Sequence, residues 1–241
     1  DNIEVPGSTV NRYCASGLET IAIASAKITV GLADIVIAGG AETMSMINMG
    51  GWRMVPNPDM AREHPKWFLN MGLTSEMVSK EYKVSRQAQD EFAVKSVNKA
   101  LAAIKAGKFK DEIVPITIKE NYFDNGSMEK RERVFDTDEG PRPGTTIEGL
   151  SKLKPAFAAN GNSTAGNSSQ MSDGAGFVLV VSEKALKQYD LTPIARLVDY
   201  QVAGVEPYKM GIGPVAAIPK VLEHSGLSLR DIDGIELNEA F

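Results

Sequence analysis

The residues best equipped for covalent chemistry stand together near the start of the sequence, where Asn11, Arg12, Tyr13, Cys14, Ala15, Ser16 and Gly17 follow one another. Cys14 is the only cysteine. A β-rich run through Ser8, Thr9 and Val10 leads into the polar pair Asn11 and Arg12, and small residues then open a helix. The first backbone N–H groups of a helix lack internal partners and carry the positive end of its dipole. A thiol at such a corner is prepared as a nucleophile. The plainer alternative is one more small buried hydrophobe. The two histidines, His64 in a Met/Pro-rich stretch and His224 near the end of an amphipathic helix, read as surface or satisfied residues rather than as its base. One cysteine and two distant histidines support no metal site. Neither a Gly-x-Gly-x-x-Gly fingerprint nor a phosphate loop is present, so nothing requires a bound cofactor.

The elements around the corner read as α/β. Leu18, Ile21, Ala22, Ser25, Ala26 and Ile28 mark a helix with small residues on several faces, and Gly31 can end it. The continuous apolar run of Ile35, Val36, Ile37 and Ala38, closed by Gly39 and Gly40, predicts a buried parallel strand. Strand, helix and strand in this order make a βαβ unit, with Cys14 at the carboxyl end of its first strand.

Over residues 44–172 the texture changes. Met44, Met46, Met49, Met54, Met60 and Met71 alternate with Gly, Pro and Trp, a pattern of adaptable packing in an irregular insertion. Ser85 should cap a long helix with Ala88, Phe92, Ser96, Val97, Ala100 and Ile104 on one face and Gly107 as its stop. Ile113, Val114, Ile116 and Ile118 predict a short strand, and the alternating charges of residues 129–133 a solvated face. A loop-rich stretch over residues 135–176 is long enough to expect function in it. Residues 177–181 then predict a buried strand and residues 183–189 a short helix. A second α/β run starts at residues 194–198, continues with a helix through Ala217, Val221 and Leu222 that Pro219 should kink and Gly226 end, and closes on a strand with Ile232, Ile235 and Leu237.

With a net charge of −5 the chain is a poor partner for nucleic acid or an anionic membrane surface, both of which select basic proteins. A lone cysteine excludes an internal disulfide framework and fits a reducing compartment, which points to the cytoplasm with an organelle left open. The sequence opens on Asp1 rather than methionine, and its last residues carry no cap or terminating glycine, so truncation at both ends is expected.

Several motifs, in order along essentially all 241 residues, resemble the thiolase family. They are Asn11 to Ile21 around the cysteine, Ala38 to Ser45, Met71 to Glu76, Lys154 to Phe157, Thr164 to Ser169 with Ser172 to Ala175, Met210 to Pro214, and Asn238 to Phe241. The resemblance implies a layered α-β-α-β-α architecture with an inserted loop domain, incomplete in this chain. Residues 1–43 would begin the N-terminal half, 44–172 form the loop domain over the CoA site, 173–189 end that half, and 190–241 begin the C-terminal half. It also implies an acyltransferase that cleaves 3-oxoacyl-CoA with CoA in fatty-acid β-oxidation, through an acyl thioester on Cys14. Asn238 would serve an oxyanion site through a water, although its side chain could equally cap the turn after the last strand. The Cys14 N–H would serve a second oxyanion site. Arg142 matches an arginine against the nucleotide end of CoA, Ser169 a serine bonded to pantetheine, Ala165, Met71 and Phe157 tunnel residues, and Phe241 a pocket residue.

Two departures lean toward a degradative, broader-chain member: Asn70 stands where a histidine is often seen, and Gly149 where a serine contacts CoA. The family's Gly-His-Pro histidine and Cys-x-Gly cysteine would lie beyond Phe241, so these 241 residues alone are expected to show little or no thiolase activity. CoA enters as a substrate, not a cofactor, and the complete protein is expected to be a homodimer or homotetramer without membrane insertion. The alternatives are an acetoacetyl-CoA thiolase working in the synthetic direction, or a truncated, non-catalytic CoA-binding protein of the same fold.

Overall fold

Local signals start and stop the elements of the chain, which a computed structural model describes over residues 4–241. Residues 1–3, the head of the expected N-terminal half, lie outside the described residues. In order, the elements are α1 (Ser16–Thr29), β1 (Ile35–Thr43), α2 (Pro58–Glu63), α3 (Met71–Glu81), α4 (Arg86–Lys105), β2 (Ile116–Asp124), β3 (Ser127–Phe135), α5 (Ile147–Ser151), β4 (Asp173–Val181), α6 (Glu183–Gln188) and α7 (Gly213–Ser225), with short 3₁₀ turns between some of them. The Ser85 hydroxyl accepts the Ala88 N–H at 3.2 Å to start α4, and Gly107 follows its end at φ +69. Helix α2, which the sequence reading passed over, carries an equally local signal: Asn57 Oδ1 caps the N–H groups of Asp59 and Met60, with Pro58 in the first turn.

The chain divides into two compact units, one of residues 1–78 and 171–240, the other of residues 79–170 with Phe241. By contact, therefore, the Met-rich residues 44–78 group with the first unit rather than with residues 79–170.

In the first unit β1 pairs with β4, and the ladder is antiparallel, with Ile37 opposite Leu179 and Gly39 opposite Phe177. The expected buried parallel strand is thus corrected. Its hydrogen-bonding neighbour among the described residues enters from far downstream and runs the other way, and residues 8–10 form no strand, so no βαβ unit is closed. Helix α1 packs on β1, where Ala24 and Ala38 are buried and Thr20 Oγ1 donates to the Gly39 carbonyl at 3.2 Å. The opposite face stays open: Ile37 is 69% exposed and Phe177, in the strand expected to be buried, 59%. Gly39 marks the closest approach in the ladder, since a Cβ there would fall on the Gly176 carbonyl and 2.6 Å from Phe177 Cδ1. Each end of the ladder is fastened by an aspartate. Asp34 accepts from Ser182 Oγ at 2.8 Å and from Lys184 Nζ at 2.6 Å, and Asp173 accepts from Ser45 N at 2.8 Å and Ser45 Oγ at 2.5 Å.

Helix α7 runs through Pro219 and ends on Gly226 at φ +71. Neither residues 194–198 nor the Ile232 to Leu237 segment pairs in a ladder among the described residues, so neither expected strand is formed there. In the second unit β2 and β3 form an isolated antiparallel hairpin around Asn125 and Gly126, both at positive φ as a type I′ turn demands. Along α4 the buried residue is Asp90, while Ala88 and Phe92, expected on the inner face, are exposed.

Candidate active site

Cys14 lies in a 3₁₀ turn, Tyr13–Ala15, that runs directly into α1. Its side chain is exposed, which removes the reading of a small buried hydrophobe. The corner is built from its own neighbours. Tyr13 N–H donates to Asn11 Oδ1 at 2.8 Å, Arg12 N–H to Ser16 Oγ at 2.9 Å, Ser16 Oγ to the Tyr13 carbonyl at 2.7 Å, and Ala15 N–H to the Arg12 carbonyl at 3.1 Å. These bonds hold Tyr13 at φ +49, a conformation that costs a bulky L-residue energy and that clusters at functional positions. They leave the Cys14 N–H without a partner among the described residues. An exposed sulfur beside an unspent N–H at the entrance of a 14-residue helix can attack a carbonyl carbon and receive the developing oxyanion.

A second layer braces the corner. Glu19, one turn into α1, accepts from Arg12 Nη1 at 2.9 Å and from the Tyr200 hydroxyl at 2.7 Å on the same oxygen. Burial, and then the bond to the Glu19 carboxylate, push the Tyr200 hydroxyl above the usual tyrosine range, so it remains the donor. Sequence reasoning missed this clasp because Tyr200 lies 181 residues from Glu19.

The histidines are engaged elsewhere. His64 stacks on Trp67 with ring centroids 4.3 Å apart. His224 Nδ1 sits 2.8 Å from Asp199 Oδ2. Desolvation works against the Asp199 carboxylate, yet the bonds from His224 and the Tyr200 N–H outweigh it and hold the group below the usual range.

Of the other residues singled out from sequence, Met71 and Asn238 share the first unit with Cys14. Met71 is half-buried in the first turn of α3, where Asn70 Oδ1 accepts the Leu73 N–H at 2.9 Å. Asn70 is therefore a helix cap. Asn238 is exposed beyond the last 3₁₀ turn, and among the described residues its side chain caps nothing.

Arg142, Phe157, Ala165, Ser169 and Phe241 belong to the second unit. Phe157 and Phe241 meet edge to face with centroids 5.7 Å apart. Arg142 is exposed on the loop before α5, and at Gly149 the N–H binds the Thr146 cap at 3.1 Å. Ala165 and Ser169 are exposed on an arc whose interior is buried, with Ser163 and Thr164 fully so. Of the polar residues that hold this arc, Asn167 entered only as part of the Thr164 to Ser169 motif, and Arg86 and Asp90 were not singled out. The i, i+4 spacing of Arg86 and Asp90 on one helix is the signal that could have found them. Among the described residues no group of three or more His, Cys, Asp or Glu could hold a metal ion, and no helix is long and apolar enough to cross a membrane.

Known proteins resemble this chain along nearly its whole length. Residues 2–184 match the family profile of the thiolase N-terminal domain and residues 191–241 that of the thiolase C-terminal domain. The 3-ketoacyl-CoA thiolase of Bacillus subtilis (strain 168) is 50% identical over 239 residues, covering 98% of this chain and 61% of that protein. An acetyl-CoA acetyltransferase of Thiocystis violacea is 43% identical over 252 aligned positions, again covering 98% of this chain and 61% of the relative. The crystal structure of the dimeric peroxisomal thiolase of Saccharomyces cerevisiae superposes with a TM-score of 0.85 at 42% identity, over 96% of this chain and 57% of that one. The chain thus spans about three fifths of the length of the relatives it matches.

Proposed function

Because this chain belongs to the thiolase family, we propose that the protein carrying it is an acetyl-CoA C-acyltransferase with Cys14 as its nucleophile. The observation that carries the reading is the exposed Cys14 thiol at a strained corner with its own N–H unspent. The sulfur attacks the 3-oxo carbon of a 3-oxoacyl-CoA, and the C2–C3 bond breaks. The departing enolate of acetyl-CoA takes a proton, and the shortened acyl group stays on Cys14 as a thioester. The thiol of a second CoA then displaces the cysteine thiolate, giving acyl-CoA and the free enzyme. In this scheme the Cys14 N–H receives the oxyanion of the acyl group, and Asn238 orders a water at the thioester oxygen that gains charge as the enolate forms. Arg142, Ser169, Ala165, Met71, Phe157 and Phe241 would hold CoA. No Gly-His-Pro histidine or second cysteine occurs among residues 1–241, and Cys14 alone does not supply the acid–base step.

The degradative direction is our preferred reading, supported by Asn70 and Gly149 at the two departures from the biosynthetic pattern. The acetyltransferase names among the relatives favour a second reading, acetoacetyl-CoA synthesis. A homodimer or homotetramer is the expected assembly of the complete protein, and the crystallised yeast thiolase is described as dimeric. The test uses the full-length natural protein. Thiolysis of 3-oxoacyl-CoAs with Cys14 acylated, detected by mass spectrometry and abolished in Cys14→Ala, is the expected result. CoA binding without acyl transfer would overturn the enzyme and favour a binding protein. Activity confined to the C4 substrate would favour the second reading.

A further inference from the structure

The arc that carries Ala165 and Ser169 is held from behind by one buried carboxylate. Asp90 is 2% exposed. Its Oδ2 receives Arg86 Nε at 2.8 Å, and its Oδ1 receives Asn167 Nδ2 at 2.9 Å. A carboxylate only accepts hydrogen bonds, so Asp90 dictates which end of the Asn167 amide faces it. The amide oxygen is thereby turned to the Thr164 N–H at 2.7 Å, and Nδ2 also reaches the Asn162 carbonyl at 3.0 Å. Arg86 serves the other flank, its Nη2 donating to the Leu150 carbonyl at 2.6 Å and the Leu153 carbonyl at 3.2 Å. The side chains of those two leucines close on Gly166, where a Cβ would fall on Leu150 Cδ2 and 2.6 Å from Leu153 Cδ1. Asp90 therefore sets both sides of the arc, one through Asn167 and one through Arg86.

Resting on the thiolase reading above, we propose that Arg86, Asp90 and Asn167 are positioning residues for the pantetheine arm of CoA, fixing the Thr164–Ser169 arc so that Ser169 and Ala165 meet it. A buried ion pair adds little net stability compared with an apolar pair of similar shape, whereas it does single out one orientation of its neighbours. Its loss should accordingly be felt in CoA binding more than in the chemical step. The experiment is steady-state kinetics of the full-length protein as wild type, Asp90→Asn, Asn167→Asp and the double swap Asp90→Asn/Asn167→Asp. Amide hydrogen exchange at Thr164 and Gly166 is measured in each.

The expected result is a rise in KM for CoA of about tenfold in each single variant, with kcat within about twofold and faster exchange along the arc. The double swap restores the acceptor for Thr164 N–H and a donor between positions 90 and 167, and should recover most of the KM. An unchanged KM in an active, folded Asp90→Asn overturns the proposal, and so does an equal fall in kcat. If both single variants fail to fold, the conservative Arg86→Lys decides by the same split of KM from kcat. Wild-type protein that neither cleaves 3-oxoacyl-CoA nor binds CoA would defeat the functional reading and this proposal together. An active wild type with an indifferent Asp90→Asn defeats this proposal alone.

Discussion

Among the described residues two antiparallel ladders of nine-residue strands occur, and they are held by opposite means. The β1–β4 ladder is apolar and glycine-rich, packs one face on α1, and brings backbones together at Gly39 so closely that no side chain fits. The β2–β3 hairpin is exposed along almost its whole length and is laced by charges. Glu120 joins Arg131 and Arg133, Lys119 meets Glu132 at 3.2 Å, and the Arg131 guanidinium lies over the Tyr122 ring. Shape specifies the first ladder and a local turn specifies the second. Exposed ion pairs contribute little in either.

That contrast can be broken in a graded series. The largest effect should come from Gly39→Ala, because the obstacle is a backbone carbonyl with nowhere to go. A loss of about 3 kcal/mol is expected in urea denaturation. Next is Gly126→Ala, which forces an L-residue to φ +87 at the hairpin turn and should cost about 1 kcal/mol, with exchange accelerated in β2 and β3 only.

Smaller again is Ser45→Ala. The Ser45 hydroxyl and then its backbone N–H hold the Asp173 carboxyl below the usual range, as Lys184 and then Ser182 do for Asp34. A lowered carboxylate pKa stabilises the fold above its unfolded value of about 4, and the gain is lost as pH falls through the folded value. The ladder ends should therefore loosen only in acid. In Ser45→Ala the carbon-detected NMR titration of Asp173 should move upward, toward an ordinary aspartate. Smallest of all is Glu120→Gln. Hydrogen bonds from Arg131 and then Arg133 hold the Glu120 carboxyl below the usual glutamate range, but both arginines are open to water. The thermal midpoint should stay within about 1 °C while the hairpin signals shift. A large loss there would mean that charge, not the turn, specifies β2–β3.

What could be read from the sequence follows the same division. Helix α4 was legible at both ends because Ser85 and Gly107 act on their immediate neighbours. The corner at Cys14 was legible as a corner, since small residues and a helix start lie within a few positions of it. The orientation of β1 was not: its apolar run is compatible with either ladder, and the partner that decides it lies far downstream. The same distance hid the Glu19–Tyr200 clasp. The α4 face was misjudged at Ala88 and Phe92 because the pattern assumed that apolar residues turn inward, whereas a carboxylate whose bonds are all satisfied takes the inner position at Asp90. The strained backbone of Tyr13 has no signature in the residue types around it.

The Ser45–Asp173 clasp closes the far end of β1 against a residue 128 positions later in the chain. On a ribosome adding about 5–20 residues per second, that separation is a wait of roughly 6–26 s between the emergence of one strand and the other. The β2–β3 hairpin, made wholly within that interval, can close in microseconds once its turn is free. For those seconds Ile35, Val36 and Ile37 form a nascent strand without its mate, the kind of edge that other chains can join. The yield of folded protein in a cell should then be set by how fast residues 44–172 are translated, and slowing synthesis there should increase aggregation without altering a single contact in the finished molecule.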